Sequence, residues 1–345
     1  MPKRFLNILQ YILFLGAGIF LVWWQLKSMN QAEWKDFKAS LKGVNYWVIL
    51  PVFIMSMLSH LSRAMRWQII LEPLGYKPKL KNVFASLMVG YLANAAVPRL
   101  GEVLRCTFLA RYEKLKVDKL FGSIVLERTF DFLCFLVFIA ITVLIQVELV
   151  GDYFTKNIDA IANKEGLPVW LKIFLFLLFG LAFVFFLRWC RRKFPQNKIV
   201  GAVNKFSTGI MQGFTAILKL KRKREFFLHT LFIWSMYLLM VYVGFNAMDS
   251  TSSLGIPAAF SVLTLATVAM IATPGGMGSF PLFVMETLLL YGIYAVEGKA
   301  FGWLLWGVNT VIFIIAGVTA MILLPYMNKK KNESNSQHTG EDLQR

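Results

Sequence analysis

Arg63 and Arg66 stand three residues apart inside an otherwise apolar run, with Trp67 beside them. That spacing puts both guanidinium groups on one helical face, and paired guanidinium forks are bidentate donors for a phosphate. A helix end with an aromatic anchor at the membrane surface is the plainer alternative. A second cluster follows an apolar stretch: Asn94, then Pro98-Arg99-Leu100-Gly101-Glu102, then Arg105. The proline and glycine break a helix there and a new one begins. Its first turn exposes unpaired N–H groups and the positive dipole end, an anion site that Arg99 and Arg105 would strengthen. Glu102 would orient an arginine or meet a cationic headgroup; the alternative is an ion pair that locks the loop.

The third cluster is Glu127-Arg128-x-x-Asp131. Two carboxylates four apart share a helical face and suggest general acid–base chemistry. The sequence offers no nucleophile paired with a base and no glycine-rich loop followed by a P-loop lysine. Cys106, Cys134 and Cys190 are isolated, and His60, His229 and His338 lack metal-ligand spacing. The expectation is therefore no catalytic residue, no metal and no cofactor. Glu127, Arg128 and Asp131 are instead expected to pair with Arg63, Arg99 or Arg105 in one polar nest. A charge at mid-bilayer costs about 2.5–3.5 kcal/mol, so such residues pair and face a cavity.

The elements that would position these groups are membrane helices. Hydrophobic residues make up 57% of the 345 residues and charged ones 16%, beyond a soluble composition. The net charge of +18 does not point to nucleic acid, because the basic residues flank apolar runs without an interleaved aromatic face. It fits positive-inside topology and attraction to anionic lipid. Pro2-Lys3-Arg4 followed by Phe5–Leu26 reads as a retained signal anchor, since Trp23-Trp24 stand where a cleavage site would need small residues.

A span needs about 20 apolar residues. Six stretches qualify: Phe5–Leu26, Asn45–Met65, Thr129–Val150, Val169–Trp189, Phe227–Met248 and Ala300–Tyr326. Val83–Val97 is too short to span, and Leu254–Thr273 runs into Pro274-Gly275-Gly276-Met277-Gly278 before resuming at Pro281–Val296. The basic segment Arg188–Arg224 and the largely acidic loop Glu148–Glu165 orient the chain with both termini cytoplasmic. The fold class expected is an all-α polytopic bundle over 1–326, with six full spans and two broken or re-entrant segments. A disordered cytoplasmic tail, 327–345, follows. Lys198–Lys219 reads as a helix lying in the interface. Eight full spans would leave the termini unchanged. Four lysines in Gln25–Asn45, a segment assigned outside, run against the charge rule.

The two broken segments share a pattern of apolar helix, proline, glycine, then helix, and the charges send them in from opposite faces. Matching breaks in two inverted halves point to a transporter's binding site. Two ordinary kinked helices are the alternative.

In order and spacing, Arg63-x-x-Arg66-Trp67, Asn94…Pro98-Arg99-x-Gly101-Glu102…Arg105, Glu127-Arg128-x-x-Asp131 and Pro274-Gly275-Gly276-x-Gly278 resemble the lysylphosphatidylglycerol synthase transmembrane region, a flippase-like family. The likeness covers Phe5 to Tyr326. It implies movement of a phospholipid or lipid-linked substrate between leaflets of a bacterial cytoplasmic membrane, near envelope-lipid synthesis enzymes. Aminoacyl transfer in the two-domain relatives belongs to a soluble domain and is not carried over. Ser279-Phe280-Pro281 follows the second break where many relatives place a glutamate; the nearest here is Glu286. A membrane-embedded transferase using Glu127 or Asp131 as base, and a non-transporting partner of lipid enzymes, are the other readings.

Overall fold

The computed structural model describes residues 16–97, 99–158 and 215–341, with positions 178, 208 and 213. Its ordered elements are helices: α1 (16–27), α2 (Gln31–Lys42), α3 (Ile49–Leu71), α4 (Leu80–Ala96), α5 (Leu100–Glu113), α6 (Val117–Ile158), α7 (Lys223–Gly244), α8 (Ile256–Ala272), α9 (Ser279–Leu289) and α10 (Ala295–Glu341). Among the described residues, four helical stretches are long and apolar enough to cross a membrane: Tyr46–Leu74, Val117–Gln146, Lys223–Ala247 and Ala295–Lys329. The chain is an all-helical, multi-pass membrane protein. The expected span Val169–Trp189 and most of the interfacial stretch Lys198–Lys219 lie outside the described residues, as does the start of Phe5–Leu26.

The chain divides into two compact units, 1–125 with 221–345, and 126–220. In the first, α3 packs on α7. Their contacts run in opposite chain directions: Asn45 N–H donates to the Ala247 carbonyl, Arg63 to Tyr237, and Arg66 to Thr230. Arg222, at the start of α7, then meets Glu72 at 2.6 Å. The two helices are therefore antiparallel. Glu72 and Glu225 both bond the Arg222 guanidinium and raise its pKa, so that corner stays charged.

Cross-contacts of the same kind define two hairpins. In the first, Asn94 bonds Gly101 near the turn, while the Asn82 amide and Lys79 N–H both reach the Glu113 carboxylate at the base. α4 and α5 thus fold back on each other as a helical hairpin. At 17 residues, α4 is about 25 Å long at the α-helical rise, short for a full span. In the second, Ser279 donates to the Ala269 carbonyl beside the break, and Ser261 bonds Tyr291 at the base. α8 and α9 form a second returning hairpin.

The first hairpin's base adjoins the C-terminal end of α3, to which a turn at Gly75 connects it. The second hairpin's base follows the end of α7, which lies at the N-terminal end of α3. The two hairpins therefore enter from opposite ends of the unit. α10 runs the length between them: Gly302 abuts Pro281 near its start, and Asn328 exchanges amide bonds with Asn82 of α4 near its end. Helical backbone continues to Glu341, into the stretch expected to be a disordered tail. Extending an existing helix fixes one residue per bond and needs no new nucleus.

Candidate functional site

Three arginines of the first unit are buried although they sit in apolar surroundings: Arg63, Arg66 and Arg105, at 6%, 0% and 3% exposure. α3 continues past Met65 to Leu71, so Arg66 lies about 8 Å inside the helix end. Arg66 Nη1 donates to Thr230 Oγ1 at 3.1 Å, and its guanidinium lies 5.5 Å from the Phe226 ring centroid. Arg63 Nη2 donates to the Tyr237 hydroxyl at 3.1 Å. Arg105, from α5, stacks on Trp67 with its guanidinium carbon 4.7 Å from the ring. A flat, weakly hydrated cation over an indole face is a favourable pairing, strongest when desolvated.

Trp67 is not the interface anchor considered from sequence. It is fully buried, and its indole N–H donates to Ser123 Oγ at 2.8 Å. The reason is its place on the helix: it faces α5 and the start of α6, not lipid. Trp67 is thus the spacer that brings the first two arginine-bearing clusters together.

The first break is built differently from the expected anion site. Arg99 has a left-handed backbone, φ 67°, and an exposed side chain, so it does not join the buried arginines. Asn94 Oδ1 accepts the Gly101 N–H at 2.8 Å and caps the new helix itself. Gly101 is buried against Gly90 of α4, and a Cβ there would strike the Gly90 carbonyl oxygen and the Asn94 side chain. Glu102 is half-buried one turn from Arg105. Pro98 lies outside the described residues.

The second break, Pro274–Gly276, is braced from three directions. Gln25 of α1 donates to the Gly278 carbonyl at 2.6 Å and Trp306 of α10 to the Gly275 carbonyl at 2.9 Å. Gly275 meets the tip of the first hairpin: a Cβ on it would lie 3.7 Å from both Cα and O of Ala95. Gly275, Gly276 and Gly278 all have positive φ, which L side chains seldom adopt. Thr273 and Ser279 hydroxyls link across the break at 2.6 Å. Glu286 is exposed and stands away from it, on the lower part of α9.

Glu127, Arg128 and Asp131 belong to the second unit, where Glu127 is buried, Arg128 exposed and Asp131 half-buried on α6. The segment carrying Gly213 packs on that helix, so that a Cβ on Gly213 would lie 2.8 Å from Thr129.

Some neighbours of the site were not singled out from sequence. Thr230, Tyr237 and Phe226 carry no local signal, since hydroxyls and rings are common in membrane helices. His60 did: it sits at the middle of α3, bonds Ser56 Oγ at 3.3 Å, and packs against the stacked pair Tyr91 of α4 and Phe313 of α10 at 4.7 and 5.5 Å. An ionisable side chain at that depth is itself a pointer.

A family model described as "Lysylphosphatidylglycerol synthase TM region" matches residues 7–317. The chain is also similar to the UPF0104 membrane protein MJ1595 of Methanocaldococcus jannaschii. Identity is 22% over 302 residues, covering 83% of this chain and 87% of that protein. No solved structure matches.

Proposed function

Because the chain belongs to the lysylphosphatidylglycerol synthase transmembrane-region family, we propose that it binds the headgroup of a phospholipid or lipid-linked substrate and passes it between leaflets. The observation that carries this reading is the contact of the two hairpin tips, Gly275 against Ala95, between helix pairs that enter from opposite ends. Discontinuous helices that meet inside a bundle are where transporters bind and gate their substrates. In this reading the two halves form an inverted repeat, with Pro98 and Gly101 at one break and Pro274, Gly275, Gly276 and Gly278 at the other.

The buried guanidiniums of Arg63, Arg66 and Arg105 supply planar donor forks suited to a phosphate, and Glu102 with Asn94 completes the polar wall near the first tip. Glu127, Arg128 and Asp131 form a separate ionisable cluster on α6 of the second unit and are read by themselves as a polar patch of that unit. The chain would act as a carrier and not as an aminoacyl transferase. Basic residues at the C-terminal end of α3 (Lys77, Lys79, Lys81, Lys114, Lys116) support placing that end, and both termini, on the cytoplasmic side of a bacterial inner membrane. Partner lipid-synthesis enzymes would deliver the substrate there.

The test is reconstitution in vesicles holding a headgroup-labelled phospholipid, with bleaching by a reductant confined to the outside. Wild type should scramble the label faster than an Arg66→Gln/Arg105→Gln protein. Equal rates for wild type, variant and empty vesicles would overturn the proposal.

A further inference from the structure

The geometry points to a second lipid-phosphate site on α2, at the other end of the molecule from the arginines. Asn30 and Glu33 form a reciprocal cap that starts this helix, with the Glu33 N–H on Asn30 Oδ1 at 2.9 Å and the Asn30 N–H on Glu33 Oε2 at 2.8 Å. Phe37 is buried in the apolar core with Phe245 and Phe301, while Trp34 and Leu41 are partly buried against it. Gln31, Lys35, Lys38 and Lys42 fall at steps of three and four on the flank of the helix beside Trp34, and all four are exposed.

Gln31, Trp34, Lys35 and Lys38 together line an open depression. Lys38 Nζ lies 5.5 Å from the Trp34 ring centroid, and Lys27 Nζ lies 4.6 Å from that of Trp23. The depression therefore has an indole wall and three polar side chains that donate hydrogen bonds. The acids nearby do not cancel it. Glu33 is held by the helix cap, and Asp36 stands one residue off the lysine stripe.

Depth decides the occupant. Trp23, Trp24, Tyr46 and Trp47 flank α2 with exposures of 52%, 46%, 58% and 83%. Exposed Trp and Tyr at the ends of membrane helices sit at headgroup level, so α2 is held among phosphates. Along α3, Ile49 next to α2 and Arg66 are about 25 Å apart. The lysine stripe thus meets the leaflet opposite the one near the arginines. Positive charge on the translocated side runs against the usual topology rule, and phosphates of an anionic phospholipid give these lysines a local partner. The site stands on its own residues and does not depend on translocation.

The test uses full-length protein in mixed micelles, titrated with phosphatidylglycerol brominated on the chain carbons nearest the glycerol. Quenching of Trp34 is read as the difference between wild type and Trp34→Phe. Lys35→Gln/Lys38→Gln should weaken the apparent affinity about five-fold per lysine at low salt, and Lys35→Arg/Lys38→Arg should retain it. Arg66→Gln should leave this signal unchanged even though it slows scrambling. Equal quenching by phosphatidylcholine, an unchanged double glutamine variant, or preferential displacement by an acidic peptide would each overturn the site.

Discussion

Gly275 packs its backbone against Ala95, joining the turn of one helical hairpin to the turn of another that enters from the opposite end. Two ordinary kinked spans would pass each other side by side along their lengths. Here the breaks themselves touch, and the helices on either side return to the end of the unit from which they came.

That contact is open to cross-linking. Ala95→Cys/Gly275→Cys should form a disulfide in membranes under mild oxidant, despite a cost of about 1–2 kcal/mol for a left-handed cysteine. A band shift after cleavage of an engineered loop site between them would report it. No cross-link, with each single cysteine still alkylated on unfolding, would disprove the meeting of the tips.

Glycine substitutions should split by position. Gly101→Ala drives a methyl into the Gly90 carbonyl and the Asn94 side chain, and overpacking of this kind costs about 1–3 kcal/mol. Gly122→Ala on α6 meets nothing within 4 Å and should gain about 0.5–1 kcal/mol from helix propensity. Thermal unfolding in detergent should move the two midpoints in opposite directions.

Trp67→Phe keeps an aromatic face for Arg105 but removes the indole donor to Ser123. A buried acceptor left without its donor costs about 1–3 kcal/mol. The double variant Trp67→Phe/Ser123→Ala should recover part of that loss, which unfolding midpoints would register.

Arg66→Lys and Arg66→Gln should separate charge from fork geometry in lipid transport. A lysine keeps the charge but cannot present parallel N–H donors. Scrambling should fall about ten-fold with glutamine and less with lysine. Identical rates for the two would mean that planar phosphate recognition is not what Arg66 provides.

Sidedness has a simple assay. A cysteine at Trp47 should react with a membrane-impermeant maleimide on intact cells, and one at Lys114 only after permeabilisation. Lys114 ends α5 at the base of the first hairpin, whereas Trp47 is exposed at the opposite end of α3. Labelling of both from outside would defeat the proposed orientation.

Much of this architecture was legible without coordinates, for definite reasons. Proline and glycine mark breaks wherever they fall in an apolar run, so both hairpins could be located from Asn94–Gly101 and Pro274–Gly278. Arg99 stands apart from the buried arginines, with an exposed side chain and a left-handed φ that composition does not reveal. Trp67 looked like an anchor because its neighbours in sequence are polar; its neighbours in space, Arg105 and Ser123, are 38 and 56 residues away.

The sequence by itself determined the solvent of this protein, its helical class and the positions of its interruptions, because hydropathy and Pro/Gly effects act within a few residues of chain. Only the tertiary structure decided which faces meet. Lipid is as apolar as leucine, so hydrophobicity does not choose partners between membrane helices. Small residues and polar contacts choose them instead: Gly90 lets Gly101 approach, Gly275 lets the tips touch, and Trp67 stacks with Arg105. Those pairings are long-range in sequence, and the site they build exists only in the fold.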